Sequence, residues 1–146
     1  MAAPFVYICK KNLKPRAKLF IPAAVWFIVI FILLVMPGDD IPSSHFFDVI
    51  YFDKWVHAGI FGLEVILVCW PFFKTKYASL ALFIKITVAV IAYGVAMEYV
   101  QKLTPDRDFD VWDMVADAFG AVMACILVNN FYKRFKKKQQ ALLMGS

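Results

Sequence analysis

Four apolar runs alternate with short polar or basic segments along this chain, at roughly Lys18–Met36, Lys54–Phe73, Ala78–Leu103 and Val111–Phe131. Each is close to the ~20 residues that an α-helix needs to cross a hydrocarbon core of ~30 Å. The pattern predicts an all-α fold, a four-transmembrane-helix bundle. The breaks agree with it. Met36-Pro37-Gly38-Asp39-Asp40 stops the first run, Pro71 stops the second, and Pro105 precedes the fourth. Pro22 falls in the first turns of its helix, where proline costs least. The first run is longer than the apolar part of a cleavable signal, and Val35-Met36-Pro37-Gly38 is no Ala-x-Ala site, so it reads as a retained anchor.

Polar residues inside these runs stand out. Asp53, His57 and Glu64 are spaced four and seven apart at the start of the second run, which makes one polar stripe on a helix. Gly59 and Gly62 offer that helix a thin side for close packing, and Gly120 and Ala124 do the same on the fourth. Glu98 and Gln101, three apart, share a face near the end of the third run. Arg107, Asp110, Asp113 and Asp117 follow.

Composition narrows the class. The 146 residues suffice for one domain. With 62% hydrophobic and 18% charged residues and a mean hydropathy of +0.69, too few polar residues remain to coat a soluble exterior. Charge then orients the bundle. The net charge is +5, and the basic residues cluster at Lys10–Lys18, at Lys74 and Lys76, and at Lys133–Lys138. The positive-inside rule puts both termini in the cytoplasm and the loops 37–53 and 104–110 outside. The chain divides into a basic cytoplasmic segment (1–17), a membrane domain (18–132) and a basic cytoplasmic tail (133–146). In a membrane context the basic ends read as topology signals that touch anionic lipid, not as nucleic-acid binders. The three cysteines form no framework.

The expected outer loop contains His45–Phe52, an aromatic stretch. It suits the headgroup layer, or it folds over the mouth of the bundle.

This topology gathers Asp53, Lys54, His57, Glu98, Gln101, Arg107, Asp110 and Asp113 near the outer surface, in one outward-opening polar pocket centred on Glu98. Structural roles compete with functional ones. Asp53 and Asp110 can cap helices, with Asp113 in the first turn of the fourth. Lys54 and Lys102 can snorkel. Arg107 can pair with Asp106 or Asp108, and Lys85 is a candidate partner for Glu64. Glu98 and His57 lie below the helix ends, where a charge is costly and a cap is of no use.

Taken in order, Asp53-Lys54-x-x-His57 with Phe61 behind it, Glu98-x-x-Gln101, Arg107-x-Phe109-Asp110-x-x-Asp113 and Gly120 resemble the VanZ-like family of small membrane proteins. The resemblance covers about residues 30–130. Asp117 stands where the family pattern usually has Asn, and Ala124 where it often has a second Gly; Asp117 adds a carboxylate. The family takes its name from a protein linked to teicoplanin resistance. The resemblance implies a multi-pass protein of the bacterial inner membrane that touches cell-envelope chemistry, and it supplies no reaction. Asp113-x-x-x-Asp117 echoes the CDP-alcohol phosphotransferases, but their preceding Asp-Gly-x-x-Ala-Arg element is absent.

Three functions are compatible with these residues. The pocket, with Asp53, Lys54, Gln101, Arg107, Asp110, Asp113 and Asp117 as ligand-binding candidates, could bind a lipid headgroup, a lipid-linked precursor or a glycopeptide, or dock an envelope protein. Alternatively, Glu98 and His57 could supply acid and base to a phosphate-bearing outer-leaflet lipid, with Arg107 or Lys54 as the phosphate clamp. His57, Asp110 and Asp113 could instead hold a divalent cation. The third option is a polar network that only closes the bundle.

Overall fold

The computed structural model describes residues 14–36, 52–105 and 109–144. Among these residues the fold is all-helical. A 3₁₀ turn, Ala17–Phe20, leads into α1 (Ile21–Val35). Helix α2 spans Phe52–Cys69 and tightens into a 3₁₀ turn at Trp70–Phe72. Helix α3 spans Leu80–Gln101, and α4 spans Val111–Met144. With the 3₁₀ turns included, the four spans Ala17–Val35, Phe52–Phe72, Leu80–Gln101 and Val111–Leu142 are long and apolar enough to cross a membrane. Stretch His45–Phe52 lies outside the described residues except for Phe52, the first residue of α2.

Local signals explain most boundaries. Pro22 sits in the first turn of α1. Pro71 lacks the N–H that an α-helix needs, and the chain narrows to 3₁₀ there. Ser79 caps α3, its hydroxyl accepting from the Leu82 N–H at 3.2 Å. Helix α4 continues past its apolar run through Lys133–Lys138 to Met144. No proline or glycine interrupts that stretch, so nothing stops the helix.

Helices α2 and α4 form the tightest pair. A methyl group on Gly120 would overlap the backbone carbonyl of Ala58. A methyl group on Gly62 would stand 3.1 Å from the Gly120 carbonyl oxygen and 3.7 Å from the Ala124 methyl. Gly59 differs from its neighbour, because it faces open space. Backbone contact of this kind is how small residues join helices where no hydrophobic drive exists between them. Helix α3 closes on α4 at Gly94, where a methyl group would meet the Asp117 carboxylate at 2.8 Å. Helix α1 leans on the others through Trp26, whose indole N–H donates to the Ile60 carbonyl at 2.9 Å, and Phe27, stacked on Tyr93 at 4.1 Å.

The buried core runs along the bundle axis through Ile30, Phe61, Val65, Phe83 and Ala121. Apolar residues also cover the outside, among them Ile28, Val88, Phe119 and Leu127. An inside-and-outside apolar helix is what a bilayer selects. Exposed Trp55, Tyr99 and Trp112 ring one end, and Trp70 and Tyr77 the other, as interfacial aromatic belts do.

Candidate functional site

The polar residues collect at one end of the bundle, where α2 begins, α3 ends and α4 begins. His57, Glu98, Gln101, Asp113 and Asp117 are all buried there. His57 is the hub. Its Nδ1 stands 2.9 Å from the Asp117 Oδ1. Its Nε2 faces Asp53 Oδ1 and Asp113 Oδ2, each at 3.9 Å. One imidazole therefore lies between two groups of carboxylates, Asp117 on the deep side and Asp53 with Asp113 on the other.

Lys54 serves a different purpose from snorkelling. Its ammonium bridges the carboxylates of Asp110 and Asp113 and lies 3.7 Å from Asp53. With its charge shared in this way it is a poor free phosphate clamp. Asp110 is the hinge of the α4 start. Its Oδ1 accepts from the Trp112 N–H at 2.8 Å, and its own backbone N–H donates to Glu98 Oε2 at 3.2 Å. The carboxylate cap satisfies a free helix N–H. The Lys54 ammonium beside it holds the Asp110 carboxyl below the ordinary aspartate range.

Some expectations change here. Among the described residues the centre is His57 rather than Glu98, because His57 lies within 4 Å of both carboxylate groups. Among the described residues, Asp110 belongs to neither group of donors that could hold a metal ion. Those groups are Asp53–His57–Asp113 and His57–Glu98–Asp117, each with one donor atom per residue and all donors within 4.8 Å. The reason is that Asp110 spends one oxygen on the α4 cap and the other on Lys54. Asp53 lies inside the first turn of α2, with its side chain 60% exposed. Arg107 lies outside the described residues. Glu64 is buried deeper in the bundle and Lys85 is exposed, and no ion pair joins them among the described residues.

Four buried side-chain oxygens lack a hydrogen-bond partner among the described residues: Glu64 Oε2, Glu98 Oε1, Gln101 Oε1 and Asp117 Oδ2. Three of the four belong to this end of the bundle. Buried oxygens without partners are uncommon, since each forgoes water without replacement.

A groove of about 660 Å³ opens laterally beside this centre, between α2 and α4. Lys54 and Asp110 form its polar end, and Trp55, Trp112, Val115 and Phe119 line the rest. Sequence reasoning missed it, although a signal was present. Trp112, Val115 and Phe119 recur at i, i+3 and i+7, one stripe of α4 beside the acidic one. It also missed Gly94 as the residue that makes room for Asp117.

Comparisons with family models, with curated proteins and with solved structures gave no match to this chain.

Proposed function

We propose that this end of the bundle faces outward and binds an amphiphile of the cell envelope. The observation that carries the reading is the lateral groove, polar at Lys54 and Asp110 and apolar along Trp112, Val115 and Phe119. Its volume is within the ~300–1,000 Å³ of ligand sites. A long apolar tail fits along α4, open to the bilayer, while a headgroup reaches the acidic centre. The basic clusters at Lys74–Lys76 and Lys133–Lys138 belong to the opposite end and support a cytoplasmic placement of that end. Resemblance to the VanZ-like family agrees with this reading. It makes the membrane a bacterial inner membrane, and a membrane lipid, a lipid-linked precursor or a glycopeptide such as teicoplanin the candidate ligand.

A second reading has its own support. His57, Glu98 and Asp117 stand in one buried group, which is the arrangement that acid–base work on a phosphate-bearing lipid headgroup needs. Incubation with a labelled lipid separates the two, since only the second gives a product.

Native mass spectrometry of the protein released from its membrane tests the binding. A retained lipid-sized mass is expected, reduced at least tenfold in Val115→Trp, which fills the groove. Equal retention in Val115→Trp would leave the groove without a role.

A further inference from the structure

We infer that the buried centre holds a divalent cation between His57, Glu98 and Asp117, with one ligand from each of α2, α3 and α4. The proposal deepens the outward-facing site proposed above and rests on that end being a ligand site.

Three observations carry it. One donor atom from each residue falls within 4.8 Å of the others, and the three are 2%, 1% and 1% exposed. His57 Nδ1 and Asp117 Oδ1 are 2.9 Å apart, close to the ~3.0 Å between neighbouring ligands of a six-coordinate ion with ~2.1 Å bonds. Independently of that grouping, Glu98 Oε1 and Asp117 Oδ2 are buried without a partner among the described residues. The other oxygen of each carboxylate is in use, on the Asp110 N–H and on His57. Glu98 Oε1 thus offers the ion an oxygen that no described donor satisfies, whereas Asp117 would meet it through Oδ1, the oxygen beside His57, its Oδ2 lying against Gly94.

Charge points the same way. Among the described residues this end has Asp53, Glu98, Asp110, Asp113 and Asp117 against Lys54, Lys102 and His57, and Lys102 is exposed beyond the end of α3. Lys54 is committed to Asp110 and Asp113, on the shallow side. Glu98 and Asp117 have no lysine or arginine within ion-pair distance among the described residues, and a divalent cation would neutralise both. One imidazole with two carboxylates suits Zn²⁺ or Mn²⁺. The neighbouring Asp53–His57–Asp113 group is the weaker candidate. Asp113 already gives an oxygen to Lys54, and Asp53 is largely exposed.

The test is metal binding by the full chain, purified in detergent and stripped with a chelator. Titration with ZnCl₂ and with MnCl₂ should show one ion per chain for at least one of the two. Glu98→Gln and Asp117→Asn should each weaken it by more than about a hundredfold, beyond the roughly 10–100-fold typical of losing a residue that only supports a ligand. Asp53→Asn should weaken it far less than either. Should a variant fail to fold, X-ray absorption of the zinc-loaded wild type replaces it. One imidazole nitrogen with carboxylate oxygens at ~2.0–2.2 Å supports the site. No binding, binding intact in Asp117→Asn, or a loss confined to Asp53→Asn would overturn it. Lipid retention is read on the same samples. Lipid held without metal defeats the cation alone, and metal held without lipid defeats the amphiphile reading alone.

Discussion

The imidazole of His57 and the carboxylate of Asp117 meet 2.9 Å apart, from two different helices and in nearly complete burial. Gly94 of α3 lies against the far side of that carboxylate and leaves no space for a methyl group. The contact thus needs α2, α3 and α4 together, and it can report on whether they are assembled.

Removing one partner strands the other in a place that water does not reach. Asp117→Ala should lower stability in detergent by about 1–3 kcal/mol, the cost of a buried polar group left without its partner. Asp53→Ala, at an exposed position, should stay within about 0.5 kcal/mol. A double-mutant cycle of His57→Ala and Asp117→Ala should give a coupling of about 0.5–3 kcal/mol in denaturant unfolding. Additive effects would mean that the two side chains do not interact.

Gly59, next to Ala58 on α2, and Gly120, facing Ala58 from α4, predict changes of opposite sign. Gly120→Ala would drive a methyl group into the Ala58 carbonyl and should cost about 1–3 kcal/mol, because backbone has to move. Gly59→Ala meets open space and should stabilise α2 by about 0.5–1 kcal/mol through helix propensity. Thermal unfolding of both variants in the same detergent checks the pair.

Asp110 carries the acid dependence of the α4 start. Its carboxyl is held below the ordinary value by the Lys54 ammonium. The folded pKa is thus lower than the unfolded one of about 3.9, so the stabilisation is fully present above about pH 3.9 and fades as pH falls through the folded pKa. The difference in melting temperature between wild type and Asp110→Asn should therefore be steady from about pH 7 to pH 5 and shrink below about pH 4. A gap that does not change with acid would place the effect in the cap geometry instead of the charge.

Much of the fold was legible because the apolar runs are long and the breaks are chemically plain. Pro71 and Ser79 sit where α2 tightens and α3 starts. The set of polar residues was legible too, since charge inside an apolar run stands out. Their partners were not. Whether Lys54 reaches lipid or bridges Asp110 and Asp113 depends on how α2 and α4 are rotated about their axes, and spacing along one helix does not fix that. Asp117 read as an added carboxylate four residues past Asp113. Its meeting with His57 depends on the close approach of the helices, seen at Gly94 and Gly120, which spacing along one helix does not reveal. The groove was hidden for a related reason: in a membrane helix, Val115 and Phe119 look like any lipid-facing residues until a neighbouring helix supplies the other wall.

The proposed orientation predicts an accessibility pattern. Leu103→Cys, in the exposed turn just after α3, should react with an impermeant thiol reagent added to intact cells. Lys76→Cys, at the opposite end, should react only after the membrane is opened. The reverse pattern would turn the site towards the cytoplasm.

The amphiphile groove is tested most directly by crosslinking in the native membrane. A photoreactive amino acid is placed in turn at Val115 and Phe119 in the groove, and at Ile28 and Val88 on other lipid-facing surfaces. Crosslinks at Val115 and Phe119 should capture one dominant lipid species, and Lys54→Met should weaken that capture by removing the cation from the polar end of the groove. Ile28 and Val88 should capture the bulk lipid mixture. The same bulk mixture at all four positions, unchanged by Lys54→Met, would contradict a specific amphiphile site at this end of the bundle.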